Sequence, residues 1–163
     1  KATAGFEAHA EKVWKASVME EDRGEPSANA EIPAGAPDGE YLDTHKVLAD
    51  ADTEEMADVT DCFSVWTFED GSIEFGLELN FDLDHSCAMH GEAKPRSGSW
   101  AYEGSKETDD EGCVLWINFT KDYIELKDKT GDCREVWCGM RGNLDGTRFP
   151  LKKKRADTQK CGR

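Results

Sequence analysis

The chain has 163 residues, of which 37% are hydrophobic and 34% are charged, and its formal net charge at pH 7 is −15. This length and composition fit one modest globular domain with a less compact segment, and they argue against two full domains. The excess of acidic side chains repels phosphate backbones, so we expect no nucleic-acid partner. No apolar run approaches the about 18 residues of a membrane span, so the sequence predicts a soluble chain.

The first residue and the cysteines bear on the compartment. The chain begins at Lys1 rather than at a methionine, so we expect a processed chain or a fragment whose targeting peptide has been removed. An even number of cysteines in a small chain indicates disulfides formed in an oxidising compartment, either outside the cell or in an organelle lumen such as that of a plastid. Buried free thiols in a cytosol or stroma are the alternative, and the pairing is left open. The disulfide candidates are Cys62, Cys87, Cys113, Cys133, Cys138 and Cys161.

Residues 6–20 have apolar side chains at helical spacing, separated by charged ones, which predicts a short amphipathic helix. Such a helix is marginal alone, so it must dock either on the rest of the chain or on another protein. The candidate partner-binding side chains are Phe6, Val13, Trp14 and Val18. Residues 21–40 contain three prolines and three glycines and almost no bulky apolar side chain, which predicts an extended arm.

The clearest pattern in the chain is a strict alternation over residues 72–83. Polar side chains or glycine alternate there with apolar ones, which are Ile73, Phe75, Leu77, Leu79, Phe81 and Leu83. Successive side chains of a strand point to opposite faces, so this stretch predicts a strand with one wholly apolar face. The stretch is longer than a usual strand, so we expect it to curl, with Gly76 as the bend or bulge.

Further strands are predicted at residues 63–68, 97–103, 113–119, 122–126, 133–140 and 147–151. Residues 84–96 are predicted to be a loop, and the acidic run 50–61 a helical turn. Short connections without a convincing helix favour a mostly β fold, an antiparallel meander of about seven strands forming a small barrel or sandwich. The predicted parts are a helix and arm (residues 1–61), an antiparallel β-domain (62–155) and a C-terminal tail (156–163).

His85, Cys87 and His90 form a His-x-Cys-x-x-His pattern. Imidazole and thiolate groups suit zinc or copper, and a loop would let them converge. No fourth ligand is evident, and a disulfide at Cys87 would remove the site. An ordinary polar loop is therefore the favoured interpretation, with zinc or copper as the alternative.

Evidence for catalysis is thin in the sequence. Nothing places two carboxylates in a pocket, and the serines show no nucleophile-elbow pattern. Phosphate-binding glycine loops are also missing. We therefore expect no enzyme activity, no catalytic residues and no cofactor.

The tripeptide Gly98-Ser99-Trp100 resembles the Gly-x-Trp signature of the lipocalins and wider calycins. Those proteins are up-and-down barrels that hold small apolar ligands. In that family the tryptophan opens the first strand and packs near a basic residue close to the last strand, for which Arg148 is the counterpart here. The resemblance implies a barrel that carries a lipid or pigment, and its candidate lining residues are Phe75, Leu77, Leu79, Trp100 and Trp116.

Three hypotheses of function follow. The first is a non-catalytic accessory or assembly subunit that docks on a larger protein complex through its N-terminal helix and arm, because long arms are often interaction segments. The alternative is a lipocalin-like carrier of a small apolar ligand. The third is a metal-binding protein that uses His85, Cys87 and His90.

Overall fold

The computed structural model describes residues 38–139, 141–155 and Cys161. The helix predicted for residues 6–20, with Phe6, Val13, Trp14 and Val18, lies outside the described residues, and so does the arm up to residue 37. Within the described part, no helix is long and apolar enough to cross a membrane. The expectations for the N-terminal segment stay predictions.

Nine antiparallel strands form one sheet in the described part of the chain, in the order β8-β7-β6-β5-β4-β3-β2-β1-β9. The mostly β, antiparallel architecture is therefore confirmed, with nine strands instead of the expected seven. The strands are β1 (Gly39–Asp50), β2 (Glu55–Thr67), β3 (Ile73–Asn80), β4 (Ser86–Arg96), β5 (Ser99–Glu103), β6 (Val114–Phe119), β7 (Tyr123–Lys127), β8 (Arg148–Pro150) and β9 (Lys154–Arg155).

One continuous stretch, residues 148–155, nearly closes the sheet into a barrel. Its first part, β8, pairs with β7, and its last part, β9, pairs with β1. A 3-10 turn at Leu151–Lys153 separates the two parts. The rings of Phe63 and Phe149 lie 5.5 Å apart and join β2 to β8 across the interior. The barrel alternative is therefore favoured over the sandwich.

The apolar face of β3 lies in the core, as the alternation predicts. Ile73, Phe75, Leu77 and Leu79 are all buried, with at most 1% of each exposed. The strand ends at Asn80, however, and the expected continuation to residue 83 is wrong. Leu83 has a φ of 57°, a left-handed backbone conformation that no strand can contain.

Gly76 is not a bulge. The register of β3 runs without interruption against both β2 and β4. A Cβ atom at position 76 would lie 2.1 Å from the carbonyl oxygen of Cys161. Glycine is needed here because Cys161 packs against the outer face of the sheet at this point, where it is buried.

Three other expectations about elements are wrong. The sheet begins at Gly39 and not at Cys62, since residues 39–50 form β1. The acidic run 50–61 is the turn of the β1–β2 hairpin and the first part of β2. The loop expected at residues 84–96 is β4. The strand expected at residues 133–140 is a short helix, α1 (Asp132–Trp137).

The side chain of Asp128 and two disulfides hold α1 in place. Asp128 accepts hydrogen bonds from the backbone N–H groups of Gly131 and Arg134, at 3.1 and 2.9 Å. A six-residue helix is marginal alone, but Cys133 within it is bonded to Cys113, which precedes β6. Covalent and hydrogen-bonded anchors thus override the strand propensity of this segment.

All six cysteines are paired, as Cys62–Cys161, Cys87–Cys138 and Cys113–Cys133. The second bond joins β4 to the end of α1, and the first joins β2 to the C-terminal segment. Three disulfides are consistent with an oxidising compartment, as the cysteine count predicts.

Candidate functional site

The β1–β2 hairpin extends beyond the rest of the sheet as a two-stranded ribbon, defined here as residues 43–61. β2 pairs with β3 only from Cys62 to Thr67, and β1 pairs with β9 only at Glu40 and Tyr41. At about 3.3 Å per residue, the part of β1 beyond β9 extends about 25 Å. Its outer edge has no strand partner among the described residues.

A groove of about 470 Å³ lies between this ribbon and the turn that follows β3. This volume is within the range of sites that bind ligands. The groove takes its walls from segments far apart in the sequence. Its lining residues are His45, Lys46, Val47, Leu48, Asn80, Phe81, Asp82, Leu83 and Arg141.

The wall opposite β1 is a tight turn at Asp82–Asp84. Leu83 and the next residue, Asp84, both have a left-handed φ, of 57° and 59°. The turn is held to the ribbon because the Leu48 N–H donates a 2.6 Å hydrogen bond to Asp82 Oδ1. Left-handed backbone in two consecutive non-glycine residues costs free energy, and such strain is concentrated at functional sites.

A polar cluster fixes the base of the ribbon against the end of β3. Asp61 Oδ2 lies 3.0 Å from His45 Nε2, while Asp61 Oδ1 accepts the backbone N–H of Asn80 at 2.8 Å. The amide of Asn80 also donates to the Thr60 carbonyl at 3.0 Å. These bonds replace the strand pairing that ends there, so both walls of the groove are held firmly.

The groove carries basic groups in an acidic chain. Lys46 forms an exposed ion pair with Asp58 at 3.0 Å. Arg141 is exposed and has no ion pair with any residue in the described part of the chain. An exposed pair contributes little stability, so Lys46 and Arg141 are both available to an anionic group of a ligand.

The backbone of β1 supplies hydrogen-bonding groups to the same groove. The N–H of Leu48 points away from β2, since it bonds to Asp82. Outward-facing groups recur at every second residue of a paired strand, so the N–H and C=O of Lys46 also point away from β2. A strand edge of this kind can accept an extended peptide as an additional strand.

The residues expected to line a ligand cavity lie in the packed core instead. Phe75, Leu77, Leu79 and Trp100 are 0–1% exposed and pack in the core. Trp116 lies on the outer face, with the guanidinium carbon of Arg96 5.3 Å from its ring centre. Trp116 therefore lies on the other face of the sheet from the four core side chains.

The Gly-x-Trp tripeptide also differs in its surroundings from what the lipocalin resemblance implies. Trp100 lies in β5, where its Nε1–H donates to the Gly71 carbonyl at 2.9 Å. Arg148 lies over the ring of Tyr123 and pairs with Glu125 at 2.8 Å. Trp100 and Arg148 thus each bond to other residues, and the contact that the resemblance implies is not formed between them.

The expected metal ligands are not brought together. Cys87 is buried and bonded to Cys138, so it offers no thiolate. His90 is three positions further along β4 and exposed, which places it on the opposite face of the strand. His85 precedes the strand, and a His85–Cys87–His90 metal site is incompatible with this arrangement.

A buried carboxylate with a structural role is found at Asp110. Its Oδ2 accepts the Tyr102 hydroxyl at 2.7 Å and the Trp137 Nε1–H at 3.1 Å. Burial alone would raise the pKa of Asp110, but hydrogen bonds from Thr108, Tyr102, Ser105 and Trp137 outweigh it and lower the pKa. Asp110 therefore stays charged and links α1 to β5.

The sequence did not predict the groove. Its residues come from β1, from the end of β3 and from the segment after α1, and no local pattern connects them. The nearest signal in the sequence is the pair Asp82 and Asp84, because aspartate is common in turns.

Comparisons with protein families, with curated proteins and with solved structures find no match for this chain. The groove is therefore the basis for a functional proposal.

Proposed function

We propose that this chain is a non-catalytic accessory subunit that docks on a larger protein, and that the groove beside the ribbon receives an extended segment of that protein. The observation that carries the proposal is the groove itself, with a strand edge as one wall. The N-terminal helix and arm, with Trp14 and Val13, are proposed as a second point of attachment.

The shape and the hydrogen-bonding groups of the groove support an extended peptide as the ligand. The edge of β1 between Tyr41 and Leu48 offers backbone donors and acceptors at a spacing that matches another strand, while the Leu48 N–H itself is bonded to Asp82. Val47, Leu48, Phe81 and Leu83 add apolar surface for alternate side chains of that peptide. Main-chain hydrogen bonds would supply affinity, and the apolar contacts would supply specificity.

The charges of the groove support a peptide that carries carboxylates. Lys46 and Arg141 line it together with one acidic side chain, Asp82, while the chain as a whole has a net charge of −15. Opposite charges across an interface steer association and suppress wrong partners. An acidic segment would meet these two basic groups, whereas a basic segment would be drawn to the many acidic surfaces elsewhere.

The uses of two of the three buried carboxylates in the described part of the chain support the non-catalytic part of the proposal. Asp110 and Asp128 are both nearly fully buried, and each accepts hydrogen bonds that hold α1 or the loop before it. Carboxylates engaged in this way stabilise the fold. The disulfides support a location outside the cell or in an organelle lumen.

The proposal is tested by replacing the chain in its native source with the charge-reversal variant Lys46→Glu/Arg141→Glu. We expect the wild-type chain to elute in an assembly larger than its own 18.1 kDa on size-exclusion chromatography. The variant should elute mostly as the free chain, with at least about tenfold less of it in the assembly. Each new glutamate would repel a carboxylate of the partner, and this repulsion costs more binding free energy than the loss of an exposed ion pair.

The matched control is Lys94→Glu/Lys121→Glu, which makes the same change in charge. Both lysines are exposed, and Lys121 lies in the β6–β7 turn at the opposite end of the barrel from the groove. The control should stay in the assembly. A free wild-type chain, or a groove variant that stays bound, contradicts the proposal.

A further inference from the structure

A second cluster of chemically reactive groups lies on the outer face of the sheet, away from the groove. It consists of Glu40 of β1, Cys62 of β2 and Cys161 of the C-terminal segment. One ligand atom from each lies within 4.8 Å of the other two. Cys161 is fixed there because its N–H donates to Ser64 Oγ at 3.3 Å and its carbonyl packs on Gly76.

The carboxylate of Glu40 is buried, with 7% of the residue exposed. Its Oε1 lies 2.9 Å from Cys62 Sγ and 3.7 Å from Cys161 Sγ. These two sulfurs form a disulfide, so neither carries a hydrogen to donate. Within the described residues no N–H or O–H group bonds to this carboxylate, and a buried carboxylate without a donor is costly.

Reduction of the disulfide would change the chemistry of this cluster. Two thiolates and one carboxylate would then surround one point in space, and zinc accepts ligands of both kinds, with bonds of about 2.3 Å to sulfur and about 2.0 Å to oxygen. A cation there would also compensate the buried charge of Glu40. The close approach of Glu40 to both sulfurs therefore has a use in the reduced chain that it lacks in the oxidised chain.

We propose that reduction of Cys62–Cys161 creates a zinc site formed by Glu40 Oε1 and the two cysteine sulfurs, with water in the fourth position. A dithiol supplies two electrons and two protons, the S–S bond breaks to give two thiols, and the dithiol becomes a disulfide. Zinc then displaces both thiol protons to solvent and forms two Zn–S bonds. The site is distinct from His85, Cys87 and His90.

The exposure of the three disulfides favours reduction at this one. Cys62 is only partly buried, whereas the other five cysteines are buried. Attack by a thiolate requires access to a sulfur atom. A limiting amount of dithiol should therefore open Cys62–Cys161 before Cys87–Cys138 and Cys113–Cys133.

The test uses the full chain, titrated anaerobically with dithiothreitol until alkylation and mass mapping show two free thiols. After removal of the reductant, the chain is dialysed against zinc, and bound metal is measured by elemental analysis. We expect about one zinc per chain in the reduced protein and none above background in the oxidised protein. Cobalt in place of zinc should give a thiolate-to-metal charge-transfer band.

Two variants show whether the named residues form the site. Glu40→Gln keeps both cysteines and should bind zinc about tenfold or more weakly, while Glu92→Gln, an exposed carboxylate on β4, should bind like the wild type. Cys62→Ser/Cys161→Ser should give no charge-transfer band. The proposal is overturned if another disulfide opens first, if the reduced chain binds no more zinc than the oxidised chain, or if Glu40→Gln has no effect.

Discussion

Single residues in this fold show that burial and hydrogen bonding together decide which groups are charged. Asp110 stays ionised in the interior because four hydrogen-bond donors surround it. Tyr102 donates to the same carboxylate and stays neutral, since burial and the adjacent negative charge both raise its pKa to about 12. The two groups stabilise each other's protonation state across the β5–α1 contact.

This arrangement gives stability a defined dependence on alkaline pH. Burial raises the pKa of Tyr41 to about 12 as well, with Asp38 adding to the shift. The folded-state pKa of each tyrosine lies above the unfolded value of about 10, so the contribution of these two tyrosines to the free energy of unfolding is complete below about pH 10. It is lost as the pH rises from about 10 to about 12.

The free energy of unfolding measured by urea denaturation should therefore fall steeply between about pH 10 and 12. Tyr102→Phe should lose less stability over this range than the wild type, because one of the two tyrosines with a raised pKa is gone. Its stability at pH 7 should be lower, because Asp110 loses one donor. An unchanged pH dependence in Tyr102→Phe would contradict the assignment.

At the scale of elements, β3 is the strand on which the barrel core depends. Its two faces differ sharply, since Leu77 and Leu79 are buried while Glu78 between them is exposed. β3 also lies between β2 and β4, so its side chains pack in the middle of the sheet. Substitutions at neighbouring positions should thus have very different effects.

We expect Leu77→Ala or Leu79→Ala to lower the free energy of unfolding by about 2–5 kcal/mol, because each leaves a cavity in the core. Glu78→Ala should cost less than about 0.5 kcal/mol, since its side chain meets solvent. Thermal or urea denaturation of the three variants measures this. Equal losses at positions 77 and 78 would mean that the register of β3 is wrong.

The elements that the sequence predicts are those with strong apolar alternation. β3 satisfies this condition, and β6 also follows a recognisable apolar run. β4 was missed because its buried residues include the small side chains of Cys87 and Ala93, which give a weak apolar signal. The far part of β1 was missed because the ribbon is largely exposed and acidic.

Helix α1 and the groove could not be predicted for a different reason. The helix depends on Asp128 and on a disulfide to Cys113, and the sequence alone leaves cysteine pairing open. The groove depends on the position of Arg141 relative to β1 and to the turn after β3. Both features arise from contacts between distant segments, which periodicity does not report.

At the scale of the whole molecule, a disulfide-bonded barrel supports two features of different chemistry. Three disulfides and a packed core hold the scaffold. The ribbon extends from one end of it and forms the groove with the turn at Asp82–Asp84. The outer face carries the Glu40–Cys62–Cys161 cluster, which the proposed docking does not require.

The central claim is that the edge of β1 in the groove receives an extended segment of a partner protein. Hydrogen–deuterium exchange of the chain, isolated and within its native assembly, tests it most directly. We expect residues 44–48 and 81–84 to become strongly protected in the assembly, since a newly paired strand edge exchanges slowly. Unchanged exchange in both segments, with new protection confined to other surfaces, would contradict the claim.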